Sequence, residues 1–319
     1  MAHVQVNFRE IHNEKCYRCS NREERRKFST SGVCNDVVSR HDGLPVRCVG
    51  RWGQEKVFYL LQYLGIFAQG MKYRWNGNLH YLEICSGPGR LVDYQTGQEF
   101  DGSALAVLQH QCASLLKSAL FVDINPAVTS ALNTRVAQLG NLGALKPLAI
   151  EGDYTSNKSL QQVLDNRGKN GLTFAFLDPT DLSIPFESVK YLSSNIGHLD
   201  LLINVPIGLD FRRNAAKAVM DDGFQKARDK YERFLGIPYF MSSPKVLDRL
   251  NSAADWPKEL SHLFLEAYKE QLRTLGFCYF GVRQIEHYYH LLFATRDKKG
   301  LEFWSKCQKI EYTGQRTLF

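Results

Sequence analysis

Short solid apolar runs alternate along this chain with longer segments whose apolar residues recur every three or four positions. That is the rhythm of strands and helices layered around a parallel sheet. Val57, Leu60, Leu61 and Leu64 stand at helical spacing within residues 55–67 and predict a helix with one face on the sheet. Leu79 to Ile84 reads as a buried strand that breaks into the turn Cys85-Ser-Gly-Pro-Gly89. Three further runs each end in an acid: Ser118 to Val122 in Asp123, a second at Gly152 and Asp153, and Leu172 to Leu177 in Asp178 and Pro179. A fifth strand, Asp200 to Val205, carries Asn204 at the same end as Asp178. Between these runs the pattern predicts helices over 104–108 (capped by Ser103), 126–139, 159–166 and 186–194. Residues 212–233 read as a charged helix, and 234–256 as an insertion whose mixed charges mark it as exposed. A helix over 258–275 places Leu260, Leu263, Phe264 and Tyr268 on one face. The last two runs, Phe277 to Ile285 and Tyr288 to Thr295, are separated only by Glu286 and His287. That gap is too short for a crossover, so these strands pair antiparallel.

The expected fold class is therefore α/β, a Rossmann-like, mostly parallel seven-stranded sheet ending in an antiparallel C-terminal strand pair. This is the outline of a class I methyltransferase. In such a sheet ligands sit beyond the carboxyl ends of the strands, so acids gathered there share one site. Gly87 and Gly89 let the backbone turn tightly and approach a ligand closely. Asp123 suits a ribose diol, Asp153 an exocyclic adenine amine, and Glu83 with the glycine turn an ammonium-bearing tail. These demands fit S-adenosylmethionine better than a dinucleotide, because carboxylates favour a sulfonium and repel a pyrophosphate. The helix after the turn is also delayed to Ser103, away from where a phosphate would meet its N-terminus. The expected cofactor residues are Glu83, Cys85, Gly87, Pro88, Gly89, Asp123, Ile124, Asp153 and Tyr154. Asp178 is the candidate for orienting or deprotonating a methyl acceptor, with Asp181 and Asn204 beside it. Asp178 and Pro179 read equally well as a plain strand-end turn.

The chain has 319 residues, 44% of them hydrophobic, and a net charge of +7. Lys15, Arg18, Arg22, Arg25, Arg26 and Lys27 concentrate some of that charge, diluted by Glu23 and Glu24. Such a run reads first as a solvated face and second as a nucleic-acid footprint. No apolar run approaches the roughly 20 residues of a membrane span, and the start lacks the regions of a secretory signal, so a cytoplasmic protein is expected. Eight cysteines in a reducing compartment argue for thiols or metal ligands over disulfides. Cys16 and Cys19 have knuckle spacing, and Cys34 and Cys48 complete a tetrahedral set for structural zinc, with His12 or His41 as substitutes. Four unrelated reduced thiols remain the alternative. Cys85, Cys112, Cys278 and Cys307 read as small core residues. Residues 1–50 thus form a cysteine-rich extension, and 51–319 the main domain with a helical insertion at 210–257.

Several segments resemble one family in the same order: Gly50-Arg-Trp-Gly-Gln-Glu-Lys56, Met71-Lys-Tyr-Arg-Trp75, Glu83-Ile-Cys-Ser-Gly-Pro-Gly-Arg90, Asp101-Gly-Ser103, Phe121-Val-Asp-Ile-Asn-Pro126, Phe176-Leu-Asp-Pro-Thr180 and Leu201-Leu-Ile-Asn-Val-Pro206. They are similar to the three-Cys-motif partner proteins (TcmP) from about residue 43 to the end. The resemblance implies a methyltransferase-like fold and a radical-enzyme-like partner protein, with no settled methyl acceptor. Two departures stand out. Cys85 occupies the place of the first glycine in the usual methyltransferase turn, and Asp178-Pro-Thr-Asp181 matches the motif of amino-group methyltransferases only in its first two residues. The acceptor is open, nucleic acid included. The competing expectation is a non-catalytic nucleic-acid-binding or partner-assembling protein on the same core with a zinc knuckle. A nicotinamide-dependent oxidoreductase fits poorly with the antiparallel end and the delayed helix.

Overall fold

The computed structural model describes residue 34, residues 37–252 and residues 255–312. Its main sheet comprises β2 (Leu79–Ile84), β5 (Ser118–Asp123), β6 (Lys146–Glu151), β7 (Leu172–Leu177), β8 (Leu199–Val205), β9 (Tyr279–Ile285) and β10 (Tyr289–Thr295). A second, three-stranded sheet comprises β1 (Arg47–Val49), β3 (Arg90–Asp93) and β4 (Glu99–Asp101). The main sheet runs β6-β5-β2-β7-β8-β10-β9. Pairing is parallel from β6 through β8, whereas β10 lies antiparallel to both β8 and β9. Counting only its own strands in chain order, the sheet reads 3-2-1-4-5-7-6, the Rossmann-like arrangement of class I methyltransferases. The strand order reverses between β2 and β7, and a crevice opens there beyond their carboxyl ends.

Strand side chains alternate between two cores, as a pleated sheet covered on both faces requires. Tyr81, Phe121, Phe174 and Phe293 face the layer of α1 (Trp52–Met71), α2 (Ser103–Gln109) and, further on, α10 (Lys298–Cys307). Leu82, Val122, Ala175, Ile203 and Leu292 face the other layer. That side holds α4 (Asn157–Arg167), α5 (Phe186–Asn195), α6 (Arg212–Met220), α7 (Gln225–Leu235), α8 (Pro244–Ser252) and α9 (Trp256–Thr274). The remaining helix, α3 (Pro126–Ala137), starts where Asn125 accepts hydrogen bonds from the amides of Ala127 and Val128 and Pro126 fixes the first turn. None of the helices among the described residues is long and apolar enough to cross a membrane.

The structure departs from the sequence pattern in several places: Ser103 opens α2 with Gly102 at the cap, and the helix expected over 212–233 is broken into α6 and α7. The buried face of α1 is rotated from the expected one: Tyr59, Leu60, Tyr63, Leu64 and Phe67 are buried and Val57 and Leu61 only half-buried. Stacking around Tyr63 explains the rotation, since its ring packs 4.7 Å from both Phe174 and Phe293. The charged segment after the glycine turn forms β3 and β4, a pair joined in register from Arg90 opposite Asp101 to Val92 opposite Glu99. The insertion is not merely exposed: Tyr231, Phe234, Leu235, Phe240, Met241 and Val246 are buried in the core. Cys278 is exposed, whereas Cys112 and Cys307 are buried as expected.

The segment before residue 50 is tied to the body of the domain. Arg47, Cys48 and Val49 pair in parallel with Leu91, Val92 and Asp93. Arg135 of α3, 2% exposed, locks this segment from below. Its guanidinium donates to both carboxylate oxygens of Asp42 at 2.8 Å, to the Pro45 carbonyl at 2.7 Å and to the Pro88 carbonyl at 2.6 Å. One buried side chain therefore joins the segment 42–45 to the glycine turn.

Candidate functional site

Beyond the carboxyl ends of β2, β5 and β7 lies a cleft of about 480 Å³, within the size range of small-ligand sites. Its floor is the turn after β2. The Ser86 amide donates to the Val122 carbonyl, and the Gly102 amide donates to the Gly89 carbonyl at 2.8 Å, which draws the start of α2 against the turn. Gly87 and Gly89 have φ of 66° and 84°. A Cβ on Gly89 would meet Leu132 at 2.8 Å, so that glycine is required by packing; one on Gly87 would meet nothing, and the space beside it belongs to the cleft. Cys85 holds the same left-handed backbone at φ 64° without being glycine, a strained position for an L-residue.

Asp123, at the end of β5, lines the cleft and accepts the Gly87 amide at 3.1 Å on one oxygen and the Asn125 amide at 3.0 Å on the other. Each oxygen keeps lone-pair capacity for a ligand hydroxyl. Ile124 follows it, 54% exposed, and Tyr154 closes the same side with its hydroxyl 3.0 Å from that of Ser183. Burial, then the neighbouring Cys85 thiol, pushes Tyr154 up to about 12, and burial pushes the Cys85 thiol far above its usual range. Cys85 is a neutral thiol there, not an activated nucleophile.

Asp178, at the end of β7, faces this group across the cleft. Lys56 of α1 meets its Oδ1 at 2.5 Å, and the Asn204 side-chain amide donates to the same oxygen at 2.7 Å. Oδ2 has no hydrogen-bond partner among the described residues. The Lys56 ammonium also lies 5.0 Å from the centre of the Tyr289 ring, and Tyr289 and Trp52 line the cleft beside it.

No protein-family model matches the chain, and no curated protein matches it in sequence. Similar solved structures exist. MycE, a methyltransferase from the mycinamycin biosynthetic pathway solved with Mg and SAH, aligns over 77% of this chain at 11% identity and a TM-score of 0.35; the chain spans 56% of MycE's length. YjhP from E. coli aligns over 75% of this chain and 98% of its own length at 12% identity and a TM-score of 0.30. The fold assignment rests on the strand order itself.

The cleft gathers Cys85, Gly87, Gly89, Asp123, Ile124, Tyr154 and Asp178 from the sequence-derived set. Most of the others stand apart. Glu83 is fully buried behind the wall, its carboxyl accepting hydrogen bonds from Tyr81 at 2.8 Å and from Ser103, and it is Ser103 that reaches the cleft. Burial pushes Glu83 up to about 8. Pro88 contributes its carbonyl to Arg135, Asp153 folds back onto the Thr155 amide and hydroxyl, and Asp181 forms an ion pair with Lys230 of α7 at 3.4 Å. Asn204 is buried and acts through Asp178 and the Pro179 carbonyl. Cys34 and Cys48 both border the cleft, while Cys16, Cys19 and the basic run from Lys15 to Lys27 lie outside the described residues. Among the described residues no group of three or more His, Cys, Asp or Glu is arranged for a metal. Sequence reasoning missed Lys56 and Arg47 as cleft residues.

Proposed function

We propose that this protein is an S-adenosylmethionine-dependent methyltransferase of the TcmP type, with the cofactor in the cleft at the β2–β7 reversal. The observation that carries this reading is Asp123. It is a carboxylate at the end of β5, held by the Gly87 amide and followed by the exposed Ile124. Asp123 takes the ribose diol, Ile124 packs on the face of the adenine, and the open space over Gly87 admits the chain that joins them to the sulfonium. Bound there, S-adenosylmethionine supplies an electrophilic methyl group.

The residues opposite do the remaining work by positioning. Lys56 and Asn204 fix Asp178 through one oxygen, which leaves the other directed to an acceptor O–H or N–H, to orient it and take its proton. Trp52 and Tyr289 wall the acceptor side with apolar surface. The motif resemblance adds a radical-enzyme-like partner to the proposal.

Calorimetric titration of S-adenosylmethionine and S-adenosylhomocysteine into the wild type and Asp123→Ala tests this reading. Binding in the micromolar range that is lost in the variant supports it, and silence from the wild type with both ligands removes it.

A further inference from the structure

Among the described residues four charged side chains line the cleft: Arg47, Lys56, Asp123 and Asp178. Lys56 and Asp178 are paired with each other, and Asp123 is engaged by two backbone amides. Arg47 is different. Its half-buried guanidinium has no hydrogen-bond or ion-pair partner among the described residues. A guanidinium whose donors are uncommitted among the described residues matches a carboxylate in a two-pronged geometry.

Its position narrows the choice of anion. Arg47 stands in β1 directly opposite Leu91 of β3, two residues beyond Gly89, so it overhangs the glycine turn. The strand that carries it is fixed there by the β1–β3 pairing and by the bonds of Arg135 to Asp42, Pro45 and Pro88. The side chain is therefore presented to the part of the cleft where the amino-acid end of the proposed cofactor lies.

Resting on the proposed function, we infer that Arg47 binds the α-carboxylate of the cofactor's amino-acid tail, so the segment preceding the glycine-turn strand completes the cofactor site. This replaces Glu83 as the main polar anchor of the tail, since Glu83 is enclosed behind Ser103. The acceptor substrate is the other source of a carboxylate at this place.

The test compares two ligands by calorimetry on the full chain. S-adenosylhomocysteine carries the amino-acid tail, and 5′-methylthioadenosine keeps the adenosine and sulfur but lacks it. Arg47→Gln is expected to weaken S-adenosylhomocysteine roughly 10- to 100-fold, the size of a charge-assisted contact, while 5′-methylthioadenosine binds as to the wild type. Arg47→Lys, which keeps the charge without the fork, is expected to fall between. Unchanged S-adenosylhomocysteine affinity in Arg47→Gln assigns the guanidinium to the acceptor and overturns the inference while the proposed function stands. Equal weakening of both ligands also overturns it, as the sign of a structural role. A wild type that binds neither ligand removes both the inference and the function on which it rests.

Discussion

Lys56 and Asp178 come from positions 122 residues apart in the chain and meet at 2.5 Å across the cleft wall. Their side chains are 14% and 18% exposed, so the pair is neither a surface ion pair nor a fully buried one. Its value lies in geometry: it joins the second turn of α1 to the end of β7 and fixes one carboxylate oxygen. A double-mutant cycle with Lys56→Met and Asp178→Asn, read by urea denaturation, is expected to give a coupling of about 1–3 kcal/mol. Additivity within about 0.5 kcal/mol would show that the two groups meet without stabilising each other.

Glu83 predicts a stability profile that falls with pH. Its carboxyl is raised from 4.5 to about 8 by burial, against the hydrogen bonds from Ser103 and Tyr81. Between those values the unfolded chain gives up the proton and the folded chain keeps it, so stability declines as pH rises through the window. Asp200, raised to about 6, contributes the same sign only at the lower end, and the lowered histidines His80, His110 and His290 act in the opposite sense below about 6.5. Glu55, also raised by burial, has the same sign, and from about pH 6.5 to 8 the decline is assigned chiefly to Glu83, whose carboxyl is raised to about 8. Glu83→Gln is expected to flatten the melting temperature across that interval, and a variant that falls as steeply as the wild type contradicts the assignment.

Most of the sheet was legible because each buried parallel strand is a solid apolar run closed by a turn residue, and the short gap at Glu286 and His287 dictates the antiparallel pair. Asp123, Ile124 and Asp178 were legible for the same reason, since strand ends of one parallel sheet share a crevice. Lys56 carried a signal that went unread. It stands four residues before the buried Leu60 and four after the buried Trp52, a lysine at a core-facing helical position. Arg47, β3 and β4 had no comparable signal, because these short, half-buried strands exist only through pairing with one another. In the insertion, Tyr231, Phe234 and Leu235 had helical spacing, but the density of charge around them masked the buried face.

Arg135 makes a final prediction, because a single side chain supports two parts of the site at once. It is 2% exposed and holds the Asp42 carboxylate together with the Leu44, Pro45 and Pro88 carbonyls. Arg135→Met keeps much of the apolar stem and removes every one of these bonds, leaving a half-buried carboxylate and several carbonyls without their donor. The expected loss is about 3 kcal/mol in urea denaturation, typical of a buried pair that loses one partner. The loss should not be evenly spread. The segment 37–50 keeps its pairing with β3, the bonds of Ser39 and Arg40 to Glu99 and the packing of Val37 and Val46 on Val92, but loses its tie to α3 and the glycine turn, so limited proteolysis is expected to cut there first in the variant and to spare it in the wild type. Uniform destabilisation with no new cleavage near Asp42 would mean that the β1–β3 pairing, Glu99 and the valine cluster keep this segment over the glycine turn without Arg135.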